Sequence, residues 1–188
     1  KRGSEPVYIL KGVMQRLVVD AELSDLVTLE SERADASRQR YFSDVRQHFY
    51  RSDYRASLQN RIRAGKPGRI LHLDGDEDFM NICLEHYKNE GIEFYGRAVE
   101  ESKQPQTVTG LLRRYRPDIV VLTGHDAMKK DAAGEDTLNN YRTSVYFVRA
   151  AQMARRFEPN PDKLCIWSGA CQSYFLEIMK AGSNFASS

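Results

Sequence analysis

Short apolar runs rich in β-branched residues alternate with amphipathic segments from residue 69 onward. Runs of this length and composition are typical of strands buried on both faces of a parallel sheet. The pattern predicts four such strands: Arg69–Leu73, Ile92–Val99, Asp118–Thr123 and Leu164–Trp167. It also predicts four helices: Asp76–Asn89, Val108–Tyr115, Asp136–Phe157 and Tyr174–Ala181. This alternation predicts an α/β fold, in which right-handed crossovers place helices on both faces of a mostly parallel sheet.

The chain divides by composition into three zones. Residues 1–29 hold short β-like runs at Val7–Leu10 and Val13–Val19, which we interpret as a fragment of a small, barrel-like β domain. Residues 30–68 are dense in charged side chains and end at Gly65–Gly68, which predicts a charged helical linker. A solvated helix face explains the arginine excess of this zone more simply than a substrate or nucleic-acid tether does. Residues 69–188 carry the α/β pattern.

The composition argues against several classes of protein. The chain has 188 residues, 41% of them hydrophobic, and a formal net charge of +2, so we expect a globular protein with neither a nucleic-acid nor a membrane partner. Its cysteines form no C-x-x-C pair, which argues against a disulfide framework and against a zinc site. The chain does not begin with Met, and Ala181–Ser188 resembles the start of another strand. We therefore expect missing sequence on both sides.

Two of the predicted strands end in small residues that are followed by one reactive side chain. Asp118–Ala127 leads through Thr-Gly to His125, and Lys163–Ser173 leads through Ser-Gly-Ala to Cys171. Chemistry in open α/β sheets lies beyond the carboxyl ends of the strands, so we expect both side chains at one edge of the sheet. A thiol and an imidazole in this arrangement favour a cysteine nucleophile with a histidine base. The predicted helix Tyr174–Ala181, which follows Cys171, would favour the thiolate and could stabilise an oxyanion.

The remaining cysteines and histidines are interpreted as structural residues. Cys83 lies in a predicted helix and Cys165 in a predicted strand, and both are expected to be small buried apolar side chains. His48 and His86 are expected to be exposed or satisfied by local hydrogen bonds. The polar segment Lys129–Glu135 is more simply a solvated loop than a flap over a site.

An acidic cluster follows the first strand of the α/β zone. Its best site candidates are Asp74 and Asp76, which could bind Mg²⁺, hold the cation of an Arg or Lys substrate side chain, or begin a helix. Asp126, which directly follows His125, could orient a base, bind a basic substrate group or cap its loop. The residues alone leave these alternatives open.

Three segments of the chain resemble the YabG family of sporulation proteases. The resemblance rests on Arg69–Glu77 (RILHLDGDE), Tyr115–Ala127 (YRPDIVVLTGHDA) and Ser168–Ser173 (SGACQS), and Ala181–Ser188 and Leu17–Val27 also fit. It implies a cysteine protease of endospore formation that cleaves spore coat and cortex-associated proteins after basic residues, chiefly Arg, and also processes itself. It further implies action in the cytoplasm of the sporulating mother cell or in the spore coat, and a C-terminal portion beyond Ser188.

The same resemblance implies roles for individual residues. Cys171 would be the nucleophile and His125 the base, with no cofactor, on a core similar to that of caspase-like and gingipain-like peptidases. Those peptidases place Gly after the histidine, whereas here Gly124 precedes it and Asp126 follows it. We therefore expect an oxyanion hole from the amide of Cys171 and one amide of the Gly124–Asp126 turn. The pocket for a basic residue would use Asp74, Asp76 or Asp126.

Two other functions compete with a protease. A non-catalytic receiver-like or scaffold module would use the acidic cluster at Asp74 and Asp76 to bind Mg²⁺ or a partner. A cysteine-dependent amidase would use the same thiol and imidazole on a small molecule. Cleavage of protein substrates separates the protease from both.

Overall fold

The computed structural model describes residues 6–13, 16–49, 67–130, 132 and 137–187, with side chains omitted for residues 45–49. Its contacts divide the chain into two compact units, Lys1–Pro67 and Gly68–Ser188. Half of the predicted boundary at Gly65–Gly68 and part of the loop Lys129–Glu135 lie outside the described residues. Among the described residues, none of the helices combines the length and the apolar character that a membrane crossing requires.

The first unit contains a β-hairpin and a helix. Strand β1 (Val7–Lys11) pairs in antiparallel fashion with β2 (Val18–Glu22), and helix α1 (Ser31–Phe49) follows. The second strand lies later in the chain than the predicted Val13–Val19, of which residues 14 and 15 lie outside the described residues. The amide of Gly12 donates to the carbonyl of Leu17 at 2.8 Å, next to the paired strands.

The second unit is an α/β domain around a five-stranded parallel sheet. Its strands are β3 (Ile70–Asp74), β4 (Phe94–Ala98), β5 (Ile119–Thr123), β6 (Cys165–Ser168) and β7 (Phe185–Ala186), in the order β4-β3-β5-β6-β7. All neighbouring strands in it run parallel. The four predicted strands are confirmed to within two residues at their ends, and the predicted further strand after Ala181 is β7.

Four helices accompany this sheet: α2 (Glu77–Asn89), α3 (Gln104–Tyr115), α4 (Ser144–Phe157) and α5 (Phe175–Lys180). The prediction of a helix from Asp136 was wrong in its first turns. Residues 138–140 form a short 3-10 turn, and Tyr141 pairs with Met128 in an isolated bridge. This pairing holds the segment before α4 in a non-helical conformation.

Both faces of the sheet are buried, which confirms the predicted three-layer α/β fold. On β3, Leu71 and Leu73 join the apolar core that includes Phe147 of α4. The alternate residues His72 and Asp74 are buried on the opposite face, where the His72 ring contacts Tyr87 of α2. Alternation of side chains along a strand thus divides the apolar core from a polar layer. That polar layer continues to the carboxyl edge of the sheet.

Candidate active site at the carboxyl edge of the sheet

The sheet topology brings the loops that carry His125 and Cys171 to neighbouring strands. Strand β5 lies between β3 and β6, with Leu122 level with Ser168 in the β5–β6 register. His125 lies two residues past the end of β5, and Cys171 lies three residues past the end of β6. The sheet therefore places the two loops side by side at one edge, as the sequence predicts.

The imidazole of His125 is buried between two carboxylates. Its Nε2 lies 3.7 Å from Oδ2 of Asp76, and its Nδ1 lies 3.9 Å from Oε1 of Glu101. Both distances exceed hydrogen-bond length, and neither ring nitrogen has a hydrogen-bond partner among the described residues. The ring of Phe79 packs edge-on at 6.2 Å. A buried imidazole without partners is costly for stability, which favours a functional role for His125.

Glu101 is a buried site residue that the sequence reasoning missed. Its Oε1 accepts the backbone N–H of His125 at 2.7 Å, so the carboxylate holds the histidine by its main chain. A Cβ added at Gly75 or Gly124 would lie 2.1 or 2.2 Å from the same oxygen. The carboxylate therefore fits only because both strand ends carry glycine. Its position just beyond β4, at the same edge of the sheet, was the signal that could have identified it.

Asp74 points into the domain rather than towards a substrate. Its side chain is fully buried, with Oδ2 lying 3.4 Å from Nε2 of His72. Its Oδ1 accepts the backbone N–H of Asp76 at 2.9 Å. Asp74 thus stabilises the turn between β3 and α2, and a substrate cation has no direct path to it.

The two carboxylate oxygens of Asp76 have different neighbours: one caps helix α2, and the other lies near His125. As the N-cap of α2, its Oδ1 accepts the amides of Asp78 and Phe79 at 3.0 and 3.1 Å, a bond pattern that stabilises a helix start. Its Oδ2 faces the ring of His125, and its side chain is 25% exposed. Of the three predicted acidic residues, Asp76 alone combines exposure to solvent with proximity to the imidazole.

Asp126 is fully buried, and both of its carboxylate oxygens accept hydrogen bonds from the protein. The donors come from its own loop, from the start of α4 and from the loop that carries Cys171. A guanidinium would have to displace these donors to reach it. The geometry therefore favours the loop-holding alternative for Asp126 over a place in a substrate pocket.

Cys171 lies exposed in the turn between β6 and α5. The next residue, Gln172, has a left-handed φ of +60°, and Gly169 before it has a φ of +114°. Helix α5 begins at Phe175, within one residue of the predicted start at Tyr174, and has six residues. The structure gives no hydrogen bond between Cys171 and His125 among the described residues.

The backbone amides near the thiol bear on the predicted oxyanion hole. The amide of His125 already donates to Glu101, so it cannot also donate to an oxyanion. Within the Gly124–Asp126 turn this leaves the amides of Gly124 and Asp126 as candidates. The amide of Cys171 makes no hydrogen bond to any residue that the structure describes. These are the donors that a developing oxyanion would need.

The other two cysteines are partly buried and away from this turn. Cys83 lies in α2 and Cys165 begins β6. Desolvation by burial raises the pKa of the Cys165 thiol, opposed by the positive charge of Arg155. A raised pKa lowers the thiolate fraction at neutral pH, so Cys165 is a poor nucleophile. Cys171 is the exposed thiol of the three.

The acidic residues of this edge do not form a metal site in the part of the chain that the structure describes. No group of three His, Cys, Asp or Glu side chains there has an arrangement that could hold a metal ion. The carboxylates of Asp74 and Asp126 are engaged with protein donors instead. The alternative of a Mg²⁺-binding module therefore gains no support from this geometry.

Comparison with known proteins identifies the family. A family model described as YabG peptidase U57 matches residues 1–188. The chain belongs to the YabG peptidase family. The sporulation-specific protease YabG of Bacillus subtilis (strain 168) is 40% identical over 198 residues, a match that covers 97% of this chain and 68% of that relative. The predicted resemblance to the YabG family is confirmed, and the chain is a peptidase.

Solved structures resemble this YabG family member only distantly. A two-component response regulator of the LuxR family from Aurantimonas sp. SI85-9A1 is 19% identical, with a TM-score of 0.37 over 64% of this chain and 72% of its own. A putative pilus assembly-related protein from Burkholderia pseudomallei K96243 is 18% identical, with a TM-score of 0.38 over 63% of this chain and 75% of its own. Likenesses this weak carry no argument about function.

Proposed function

We propose that the chain is a cysteine endopeptidase in which Cys171 is the nucleophile and His125 the general base. The observation that carries this proposal is the buried imidazole of His125, which lies between two carboxylates and has no hydrogen-bond partner among the described residues. Its loop lies beside the loop of the exposed Cys171. An oriented base beside an accessible thiol is the arrangement that nucleophilic catalysis requires.

The reaction follows from the chemistry of these groups. His125 takes the proton of the Cys171 thiol, and the thiolate attacks the scissile carbonyl carbon. The carbonyl oxygen becomes an oxyanion, which the amides of Cys171 and of the Gly124–Asp126 turn stabilise. The C–N bond breaks as the imidazolium returns its proton to the leaving amine. Water, deprotonated by His125, then hydrolyses the thioester and restores the thiol.

The carboxylates of Glu101 and Asp76 lie on opposite sides of the His125 ring, each beside one ring nitrogen. Glu101 is buried and accepts the main-chain amide of His125, so its carboxylate lies beside Nδ1 without a hydrogen bond to the ring. Nε2 then faces the more exposed side of the site, where Asp76 lies. We therefore assign the proton transfer to Nε2.

The proposed substrates are spore coat and cortex-associated proteins, cut after Arg, with the chain also acting on itself. The Bacillus subtilis relative named as a sporulation-specific protease supports a role in sporulation. We propose that the enzyme acts in the cytoplasm of the mother cell and on the spore coat. Asp76 is our choice for the carboxylate that meets the substrate guanidinium, because it alone of the three predicted candidates is accessible.

The variant Asp76→Asn tests whether Asp76 binds the substrate Arg or instead orients His125. Asn keeps the N-cap of α2 but removes the charge. Two peptides are compared that differ only in Arg or its neutral analogue citrulline before the scissile bond. We expect Asp76→Asn to lower kcat/KM for the Arg peptide by about 10- to 100-fold, because a charge-assisted contact is lost. The citrulline peptide should change by less than about threefold.

The matched control is Glu77→Gln, which removes one exposed carboxylate from the same helix start. It should leave both peptides unaffected. An equal loss on both peptides in Asp76→Asn would assign Asp76 to His125 instead of to the substrate. A wild-type enzyme that cuts the two peptides equally well would refute the proposed Arg specificity.

A further inference from the structure

The carboxylate of Asp126 is the centre of a buried hydrogen-bond network. Its Oδ1 accepts the backbone amides of Ala127 at 2.8 Å and Thr143 at 2.9 Å. Its Oδ2 accepts the hydroxyl of Ser173 at 3.0 Å and the hydroxyl of Ser144. The aspartate is fully buried, so these donors take the place of water around its charge.

The hydroxyls of Ser144 and Ser173 also accept hydrogen bonds from the segment that contains the Cys171 thiol. The Oγ of Ser173 accepts the amide of Ala170 at 2.9 Å, and the Oγ of Ser144 accepts the amide of Tyr174 at 2.8 Å. The segment 170–174 is therefore held near both ends by hydroxyls that donate to the same carboxylate. Each hydroxyl thus makes two hydrogen bonds: it donates to Asp126 and accepts a backbone amide of this segment.

The direction of these bonds depends on the carboxylate. An ionised carboxylate only accepts, so both hydroxyls must donate to it, and their oxygens are then free to accept the two amides. A neutral amide in the same place would present a donor to at least one partner that is itself a donor. Each bond in such a buried network supports the next, so a single change affects the whole network.

We propose that Asp126 is a positioning residue that fixes the Cys171 turn relative to His125. The proposal rests on the proposed function, in which these two side chains react together. Asp126 follows the histidine directly in the chain, and Ser173 lies two residues after the cysteine. The hydrogen bond between them joins the two loops, so it sets the separation of the reacting groups. A displacement of about 1 Å in such geometry can lower a rate by about 10²-fold.

The test compares Ser173→Ala with Ser183→Ala in the whole chain. Ser183 is also buried, but its Oγ has no hydrogen-bond partner among the described residues. Ser183→Ala is therefore a control that removes one buried hydroxyl without breaking a hydrogen bond. Asp126→Asn disturbs the whole network and can prevent folding, whereas Ser173→Ala removes only the hydroxyl that joins the two loops. Ser173→Ala is therefore the more specific test. For each variant, kcat and KM are measured on a peptide substrate, and the rate of Cys171 alkylation by iodoacetamide is measured against pH.

Ser173→Ala is expected to lower kcat by about 10- to 100-fold with KM changed by less than about threefold. Its alkylation profile should move to higher pH, because a displaced imidazole stabilises the thiolate less. Ser183→Ala should match the wild type in both measurements. A wild-type kcat and a wild-type alkylation profile in Ser173→Ala would overturn the proposal, as would equal losses in the two variants.

The alkylation profile keeps this test separate from the proposed function. If the wild-type chain cleaves nothing in a Cys171-dependent way, the proposed function fails. The shift of the profile between Ser173→Ala and the wild type then still decides whether the hydrogen bond to Asp126 sets the environment of the thiol. No shift in that case overturns the positioning role as well.

Discussion

Cys171→Ala is expected to lower kcat/KM for peptide cleavage by at least about 10³-fold, because removal of a nucleophile eliminates the covalent pathway. The side chain is exposed, so the free energy of unfolding should change by no more than about 0.5 kcal/mol. Cleavage of an Arg-containing protein substrate, followed by mass spectrometry of the products, measures the first effect. Thermal unfolding of the same samples measures the second.

Cys83→Ala and Cys165→Ala are the controls for this prediction. Both thiols are partly buried, and burial raises the pKa of Cys165. Each variant should retain cleavage within about threefold of the wild type, with a modest loss of stability from the vacated volume. Cleavage that persists in Cys171→Ala, or that disappears in Cys165→Ala with the fold intact, would assign the nucleophile elsewhere.

Gly124→Ala is expected to lower both stability and activity. The new Cβ would lie 2.2 Å from Oε1 of Glu101, so the buried carboxylate must move or the strand end must shift. Steric overlap of this kind costs about 1–3 kcal/mol of unfolding free energy. The same movement breaks the bond from the His125 amide to Glu101, so we expect kcat/KM to fall by about 10²-fold. Denaturant unfolding and peptide kinetics measure the two effects.

Gly110→Ala is the matched control, since a Cβ at this position in α3 meets nothing within 4 Å. An alanine in a helix interior is favoured over glycine, so this variant should be more stable by up to about 1 kcal/mol with unchanged kinetics. Wild-type kinetics in Gly124→Ala would mean that Glu101 does not hold the base. That result would remove Glu101 from the proposed mechanism.

The sheet could be predicted because its central strands β3, β5 and β6 are rich in apolar residues, a pattern that the sequence shows directly. Once the order of strands and helices indicates a parallel sheet, the carboxyl ends of all strands share one edge. This rule alone predicted that His125 and Cys171 meet at one edge, and the β5–β6 pairing places their loops side by side. Local sequence and fold topology agree at these two positions.

The roles of the acidic residues could not be predicted because they depend on contacts between distant segments. Asp74, Asp76 and Asp126 look equivalent in the sequence, yet their surroundings differ. The first is buried, the second caps α2, and the third accepts hydrogen bonds from its own loop, the start of α4 and the loop that carries Cys171. Glu101 looks like one of several solvated charges after β4, and only packing against two glycines reveals it as buried. Burial of a carboxylate depends on its neighbours in space.

The late start of α4 has the same kind of cause. Local helical periodicity extends from Asp136, but the amide of Thr143 and the hydroxyl of Ser144 both donate to Asp126. The bond from Thr143 satisfies a backbone amide that a longer helix would have used, so it favours a helix that begins at Ser144. A tertiary contact therefore overrides the local preference at this position.

Covalent labelling tests most directly whether Cys171 and His125 react together. The chain is treated with a peptidyl acyloxymethyl ketone that ends in Arg, and the modified residue is located by peptide mapping. We expect a single adduct on Cys171, none on Cys83 or Cys165, and a rate of labelling at least about tenfold lower in His125→Ala. An adduct on another cysteine, or labelling of Cys171 at the same rate without His125, would contradict the proposed active site.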